Sequence, residues 1–144
     1  MPGADPPVGF LLADVVRLLR AEFNRRARSH GVTLAQAKVL LRLTREPGMR
    51  QVELAEILEI APMTLVRLLD QLVRAGHVER RPDPADRRAF RLYVTPAAKA
   101  VLARIERVAR DVRGLALRGL PRAERAALVH ALVTIKHNLS RATA

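Results

Sequence analysis

The most densely charged stretch of the chain is RRPDPADRRAF, residues 80–90, which holds four arginines and two aspartates. Its two prolines favour a turn, and the residues on either side have the composition of strands. Guanidinium groups offer several N–H donors to phosphate oxygens, so this turn is suited to an anionic partner. Arg87 and Arg88, near the tip, are candidates for insertion into a DNA minor groove, where narrow A·T tracts concentrate negative potential. Asp86 could orient either one, and a plain solvated turn remains an open alternative.

The composition also favours an anionic partner. The 144 residues carry 26 basic and 14 acidic side chains, a formal net charge of +12. Such an excess is typical of nucleic-acid-binding proteins, although it is spread along the chain and does not locate the binding surface. Stacking of single-stranded bases needs aromatic rings, and the chain has only three Phe and one Tyr. Double-stranded DNA is therefore favoured over RNA.

The sequence offers little for catalysis or metal binding. Ser29 and Ser140 lie outside any nucleophile motif, and His130 and His137 share a helix face without a third metal ligand nearby. The absence of Cys excludes disulfides and thiolate metal sites, and is compatible with a reducing cytoplasm. No apolar run approaches the ~20 residues that span a bilayer. We expect a soluble cytoplasmic protein that is not an enzyme and binds no metal or cofactor.

The spacing of apolar residues predicts six helices and one hairpin. Thr33 and Gln36 have the form of a capping box, so a helix is expected from there to the EPG sequence at 46–48. The other helices are expected at residues 10–28, 51–58, 62–75, 97–118 and from 121 to the end. Thr95 and Pro96 provide an N-cap and a first helical position. Residues 78–81 and 90–94 are the expected antiparallel strands, with the charged turn between them.

The helices at 51–58 and 62–75 have the separation of a helix-turn-helix. The first is expected to bury Val52, Leu54, Ala55 and Leu58, and the second Leu65, Leu68, Leu69 and Leu72. In this motif the second helix enters the major groove, and the exposed side chains of its first turns reach base edges. Its outward residues are Pro62, Met63, Thr64 and Arg67. For Arg67 the alternative is a solvated side chain paired with Asp70.

Both helix starts suggest phosphate contacts. Ala61 would be a poor N-cap of the second helix, so we expect its free N–H groups to bind a DNA phosphate. Arg50 and Gln51 open the preceding helix, where they would hold the flanking backbone or simply be exposed polar residues. The predicted fold class is mainly α with a small β-hairpin, a winged helix-turn-helix with added helices at both termini.

Residues 51–102 resemble the MarR family of bacterial transcription regulators. The resemblance rests on DRR at 86–88, which follows a recognition helix and precedes a TP helix start, and LVRLLDQL at 65–72 is similar to the SlyA-like branch. It implies a single domain over 1–144, with a DNA-binding lobe at 33–95. Helices at 10–30 and 97–142 would intertwine in a homodimer, with dimerisation burying apolar stripes too broad for one lobe.

The resemblance also implies a pseudo-palindromic operator, base reading by Pro62, Met63, Thr64 and Arg67, and insertion of Arg88 rather than Arg87 into the minor groove. Many family members bind small, often phenolic anions, and by position an effector pocket would involve Arg20, Phe23, Arg26 and His30. The resulting prediction is a repressor released by a small ligand. The alternatives are an architectural DNA-binding protein of low specificity, which the charge favours, and an interaction module that no longer binds DNA.

Overall fold

The computed structural model describes residues 7–143, so the two ends of the predicted 1–144 domain lie outside the described residues. The six α-helices of this part are α1 Val8–Ala27, α2 Leu34–Arg45, α3 Gln51–Leu58, α4 Pro62–Arg74, α5 Lys99–Ala116 and α6 Arg122–Ala142. The strands are β1 Met49–Arg50, β2 Val78–Pro82 and β3 Phe90–Val94. Short 3₁₀ turns follow α1 and precede α5.

The predicted fold class is confirmed: the chain is mainly helical, with a small antiparallel sheet. The strands lie in the order β1-β3-β2, and β2 and β3 form the predicted hairpin, in which Arg80 pairs with Leu92. The sequence pattern did not indicate β1, because two residues are too short to show a period. Met49 and Arg50 pair with Leu92 and Arg91 and join the start of α3 to the hairpin.

Local hydrogen bonds explain where the helices begin. The capping box is confirmed: the Gln36 N–H donates to the Thr33 hydroxyl, and the Thr33 N–H donates to the Gln36 side chain. Thr95 lies at the predicted N-cap position, directly before Pro96, but its side chain makes no capping hydrogen bond. Its hydroxyl donates to the Gly76 carbonyl instead of capping a helix, and a 3₁₀ turn at Pro96–Ala98 precedes α5. The hydroxyl thus ties the end of the hairpin to the turn after α4.

The core lies where α2, α3 and α4 meet the sheet. Its fully buried large side chains include Leu40, Leu43, Leu54, Leu65, Leu69, Leu72 and Leu92. All four inward leucines predicted for α4 are buried. The prediction that Val52 is buried was wrong, because its side chain is 77% exposed. Val52 precedes the buried Leu54 by two residues, about 200° around the helix axis, and so faces outward.

The chain divides into two compact units, one ending at Arg110 and the other starting at Asp111. In the second unit, Gly119 takes a positive φ of 84° between α5 and α6. The Arg125 side chain donates to the carbonyls of Leu117 and Leu120, which satisfies backbone groups at that turn. Within residues 7–143, no helix has both the length and the apolar character needed to cross a membrane.

Candidate nucleic-acid interface

The two faces of α4 differ sharply in their exposure to solvent. Leu65, Leu68, Leu69 and Leu72 are buried, whereas the predicted base-reading residues Pro62, Met63, Thr64 and Arg67 are all exposed. Met63 is 67% exposed, a large apolar surface for a side chain on a helix end. The packing of the inner face therefore fixes the helix and leaves the first two turns of its outer face free for a partner.

The predicted alternative for Arg67 was an ion pair with Asp70. In the structure Oδ1 of Asp70 lies 2.8 Å from Nη2 of Arg80, on the first strand of the hairpin. The Asp70 carboxylate is thus engaged across the fold, and the Arg67 side chain is exposed on the outer face of α4. Arg67 keeps its donors available for an external acceptor.

The start of α4 has the free backbone donors that its sequence predicts. Ala61 is the N-cap and Pro62 the first helical residue, so no side chain at the N-cap accepts a backbone N–H. The Ala61 carbonyl accepts the Leu65 N–H, which closes the first helical turn. The unsatisfied N–H groups point out of the helix end, where the helix dipole favours an anion.

The charged turn between β2 and β3 forms a wing, residues 83–89. In the described wing Asp86 bonds to the backbone, and the predicted pairing with an arginine side chain is not observed. Its carboxylate accepts the backbone N–H of Arg88 at 2.9 Å, and its carbonyl accepts the N–H of Ala89 at 3.1 Å. Asp86 therefore shapes the backbone of the tip, and the Arg87 and Arg88 side chains are exposed beside it.

The sequence pattern did not predict the buried carboxylate at the base of the wing. The Asp83 side chain is 0% exposed, and its Oδ2 lies 2.8 Å from Arg50 Nε and 3.2 Å from Arg91 Nε. Its Oδ1 accepts the N–H of Ala85 at 2.9 Å. The Ala85 N–H is the main cause that lowers the Asp83 pKa below its usual value; burial opposes this, and the Arg50 guanidinium reinforces it.

Three arginines lie side by side across the sheet. The register pairs Arg91 with Arg50 on one side and with Arg81 on the other. Arg81 is compensated by an ion pair with Glu79, and its guanidinium lies 4.1 Å from the centre of the Tyr93 ring. The sheet at the base of the wing thus has a cationic row, formed by Arg50, Arg91 and Arg81, that carboxylates partly neutralise.

The predicted phosphate-binding pair at the start of α3 lies next to this row. The Arg50 side chain is 39% exposed and bonds to Asp83, and its backbone N–H donates to the Glu53 carboxylate. Gln51 is half-buried. The contact with Asp83 gives Arg50 a structural function in the wing, and phosphate binding by Arg50 and Gln51 stays a prediction.

The comparisons with known proteins identify the family. A model of the MarR family matches residues 32–90. The structure of MarR is 30% identical, with a TM-score of 0.82 over 98% of this chain and 96% of that one. The chain belongs to the MarR family of transcription regulators.

Further solved structures of transcriptional regulators have the same fold. The transcriptional regulator PA3341 is 38% identical, with a TM-score of 0.79 over 94% of this chain and 99% of that one. The regulator SlyA is 26% identical, with a TM-score of 0.76 over 94% and 96% of the two chains. A cysteine-to-serine mutant of MarR from E. coli, solved with operator DNA, is 29% identical, with a TM-score of 0.72 over 90% and 93%.

The effector residues predicted for a MarR-family regulator have different surroundings in the described chain, and their use as one ligand pocket stays a prediction. Phe23 is buried in the core, Arg26 pairs with Glu22, and the His30 carbonyl accepts a hydrogen bond from Arg104. Arg20 lines an open concavity of about 640 Å³ along α1. Its other lining residues are Leu12, Ala13, Val16, Arg17, Ala21 and Asn24.

Proposed function

We propose that this MarR-family regulator is a homodimer that binds double-stranded DNA in a sequence-specific manner. The observation that carries the proposal is the outer face of α4, where Pro62, Met63, Thr64 and Arg67 are exposed over a completely packed inner face. A helix held in this way can enter a major groove and read base edges. The complex of MarR with operator DNA is consistent with this use of the fold.

The wing supplies the second DNA contact in this proposal. Arg88, whose backbone the Asp86 carboxylate holds, would enter the minor groove, and Arg87 would bind phosphate. Residues 33–95 would form the DNA-binding lobe. Arg50 and Gln51 would lie near the flanking phosphates, and the uncapped start of α4 would bind one phosphate directly.

Exposed apolar side chains on the terminal helices support the homodimer. No residue of α6 is buried in the described chain, although the helix carries several large apolar side chains. These side chains are 40–66% exposed: Leu128, Val129, Leu132, Val133 and Leu139. On α1, Val8, Phe10 and Leu11 are 50–74% exposed. A long helix without a buried face gains its stability from a partner, so residues 10–30 and 97–142 would form the dimerisation region.

The dimer would bind a pseudo-palindromic operator, since its two lobes repeat by two-fold symmetry. We further propose that it acts as a repressor that a small anionic or aromatic ligand releases from DNA. The Arg20 concavity on α1 supports a cationic site on the dimerisation helix, and displacement of bound DNA by candidate ligands tests this part.

The test is genome-wide mapping of bound sites, followed by affinity measurements at physiological salt on the site found and on unrelated duplex. A specific regulator should prefer its site by at least ~10³. Equal affinity for both duplexes would instead indicate the architectural protein that the net charge of +12 favours. No affinity for either would leave only an interaction module.

A further inference from the structure

The cationic row across the sheet raises a physical problem. Arg50, Arg91 and Arg81 are direct neighbours on three adjacent strands, and like charges placed opposite each other destabilise a sheet. Arg81 is neutralised by Glu79, the neighbour two residues before it. Arg50 and Arg91 have no such neighbour on their own strands, β1 being Met49–Arg50 and β3 Phe90–Val94. Their compensation must come from elsewhere in the fold.

Asp83 provides that compensation from the wing. Its Oδ2 accepts a hydrogen bond from Arg50 and forms an ion pair with Arg91, and its Oδ1 is left for the N–H of Ala85 inside the wing turn. The carboxylate is fully buried, although the side chains of both arginines are about two-fifths exposed. A single buried anion therefore links the start of α3, the last strand and the turn that leads to the tip.

A short chain of hydrogen bonds continues from Asp83 to the tip. The backbone N–H of Asp83 donates to the Ala89 carbonyl at 3.0 Å, and the Ala89 N–H donates to the Asp86 carbonyl. The Asp86 carboxylate then holds the backbone N–H of Arg88. These bonds form a continuous path from the backbone of Asp83 to the backbone of Arg88, along which a displacement of Asp83 would be transmitted.

We propose that Asp83 is a positioning residue of the DNA-binding wing. Its contacts with Arg50 and Arg91 anchor the wing on the helix-turn-helix, which orders the tip before DNA arrives and lowers the entropy lost on binding. The inference rests on the proposed function, because it assigns Asp83 a role in the contact between the wing and DNA. Asp83 itself touches no DNA in this scheme.

The proposal predicts a change in DNA affinity that is opposite in sign to the change expected from net charge alone. Replacing Asp83 by Asn makes the chain more positive by one charge, which by itself strengthens binding to a polyanion. If Asp83 positions the wing, the same replacement weakens specific binding in spite of the added charge. The Asn side chain keeps an acceptor for the Ala85 N–H, so the change is mainly the loss of the anion between the two arginines.

The experiment compares Asp83→Asn with Glu79→Gln, each of which removes one carboxylate beside an arginine of the same sheet. Affinity for the mapped operator is measured at one salt concentration. Asp83→Asn should weaken binding by about ten-fold, the size of one lost charge-assisted bond, and Glu79→Gln should bind as wild type or more tightly. Equal or tighter binding by Asp83→Asn overturns the proposal.

Two further measurements separate positioning from loss of stability. In the double variant Asp83→Asn with Arg88→Ala, the losses of operator affinity should not add, because Arg88 on a disordered tip already contributes little to binding. Full additivity of the two losses overturns the proposal. Without DNA, the amides of Ala85, Arg88 and Ala89 should exchange hydrogen faster in Asp83→Asn while the amides of α2 stay protected. Unchanged exchange in the wing also overturns it.

A second variant provides the same test if the Asp83→Asn chain does not fold. Asp83→Glu keeps the charge but displaces the carboxylate by one methylene, and it should show a smaller loss of the same kind in exchange and affinity. If the wild-type chain binds no duplex at all, the proposed function fails, whereas the exchange measurement still decides whether Asp83 orders the wing.

Discussion

Nη2 of Arg80 lies 2.8 Å from Oδ1 of Asp70, which joins the first strand of the hairpin to α4. The pair is partly exposed, with 26% of the Arg80 and 44% of the Asp70 side chain accessible, so its contribution to stability is modest. Its larger effect is on geometry, because it ties the hairpin that carries the wing to the helix that carries Arg67. It also occupies the carboxylate that Arg67 would otherwise meet one turn along its own helix.

Arg67→Ala should therefore relax base preference rather than unfold the protein. We expect a loss of about 1–3 kcal/mol for the operator, confined to one base-pair position in each half-site. Binding is measured on a series of operators substituted one position at a time. Arg74→Ala, at the other end of the same helix, is the matched control and should leave the preference intact. A loss of equal size on every duplex would show that Arg67 binds only phosphate.

The uncapped start of α4 predicts that adding a cap will raise the stability of the fold and lower its affinity for DNA. Ala61→Ser adds a side-chain acceptor for the free N–H groups and should stabilise the fold by about 1 kcal/mol. The same bond removes donors from a bound phosphate, so DNA affinity should fall. Thermal unfolding and operator binding are measured together. Thr33→Ala, which removes the cap of α2, should lower stability without this loss of affinity. Tighter DNA binding by the Ala61→Ser variant would contradict phosphate binding at this site.

Local signals allowed most of the fold to be predicted. The capping box of Thr33 and Gln36 and the four inward leucines of α4 lie within single helices, where spacing decides the outcome. The prediction failed for Val52 because an eight-residue helix gives too few turns to define its buried face. It missed β1 because two residues have no period.

The site was less predictable because its key contacts are distant in sequence. Asp83 and Arg50 are 33 residues apart, and no spacing rule relates them. The DPA sequence at 83–85 did contain a local signal, since Asp side chains often accept the N–H two residues on. For Arg67 the local partner Asp70 was an obvious choice, but the more distant Arg80 takes it.

The close approach of Gly48 to Tyr93 leads to a prediction about packing beneath the wing. Its φ is +82°, and a β-carbon there would lie 2.9 Å from the Tyr93 hydroxyl oxygen and 3.3 Å from Cζ. Gly48→Ala should destabilise the fold by about 1–2 kcal/mol from the left-handed backbone alone, with the clash adding to this. Tyr93→Phe in the same chain removes the nearest atom and should recover only part of the loss in urea unfolding. Full recovery would show that the backbone is not strained.

The lowered pKa of Asp83 makes the wing sensitive to acid. A carboxyl whose pKa is lowered in the fold stabilises it above the unfolded pKa, here near 3.8, and this contribution is lost as the pH falls through the folded pKa. The Ala85 amide resonance, followed by NMR, should stay constant from neutral pH to about 4 and shift only below that. In Asp83→Asn it should not follow this titration. A wild-type shift centred well above pH 4 would mean that the Ala85 N–H and the two arginines do not hold Asp83.

Arg87 and Arg88 should differ although they are neighbours. The Asp86 carboxylate holds the backbone of Arg88, which suits a side chain that enters a narrow groove at a fixed angle. Arg88→Ala should weaken binding most for an operator with A·T-rich flanks, where the narrow groove has the strongest negative potential. Arg87→Ala should weaken binding equally for A·T-rich and G·C-rich flanks and reduce the salt dependence by about one phosphate contact. Competition binding on two operators that differ only in their flanks measures both effects. Equal losses for Arg88→Ala on the two operators would place its guanidinium on the phosphate backbone instead of in the groove.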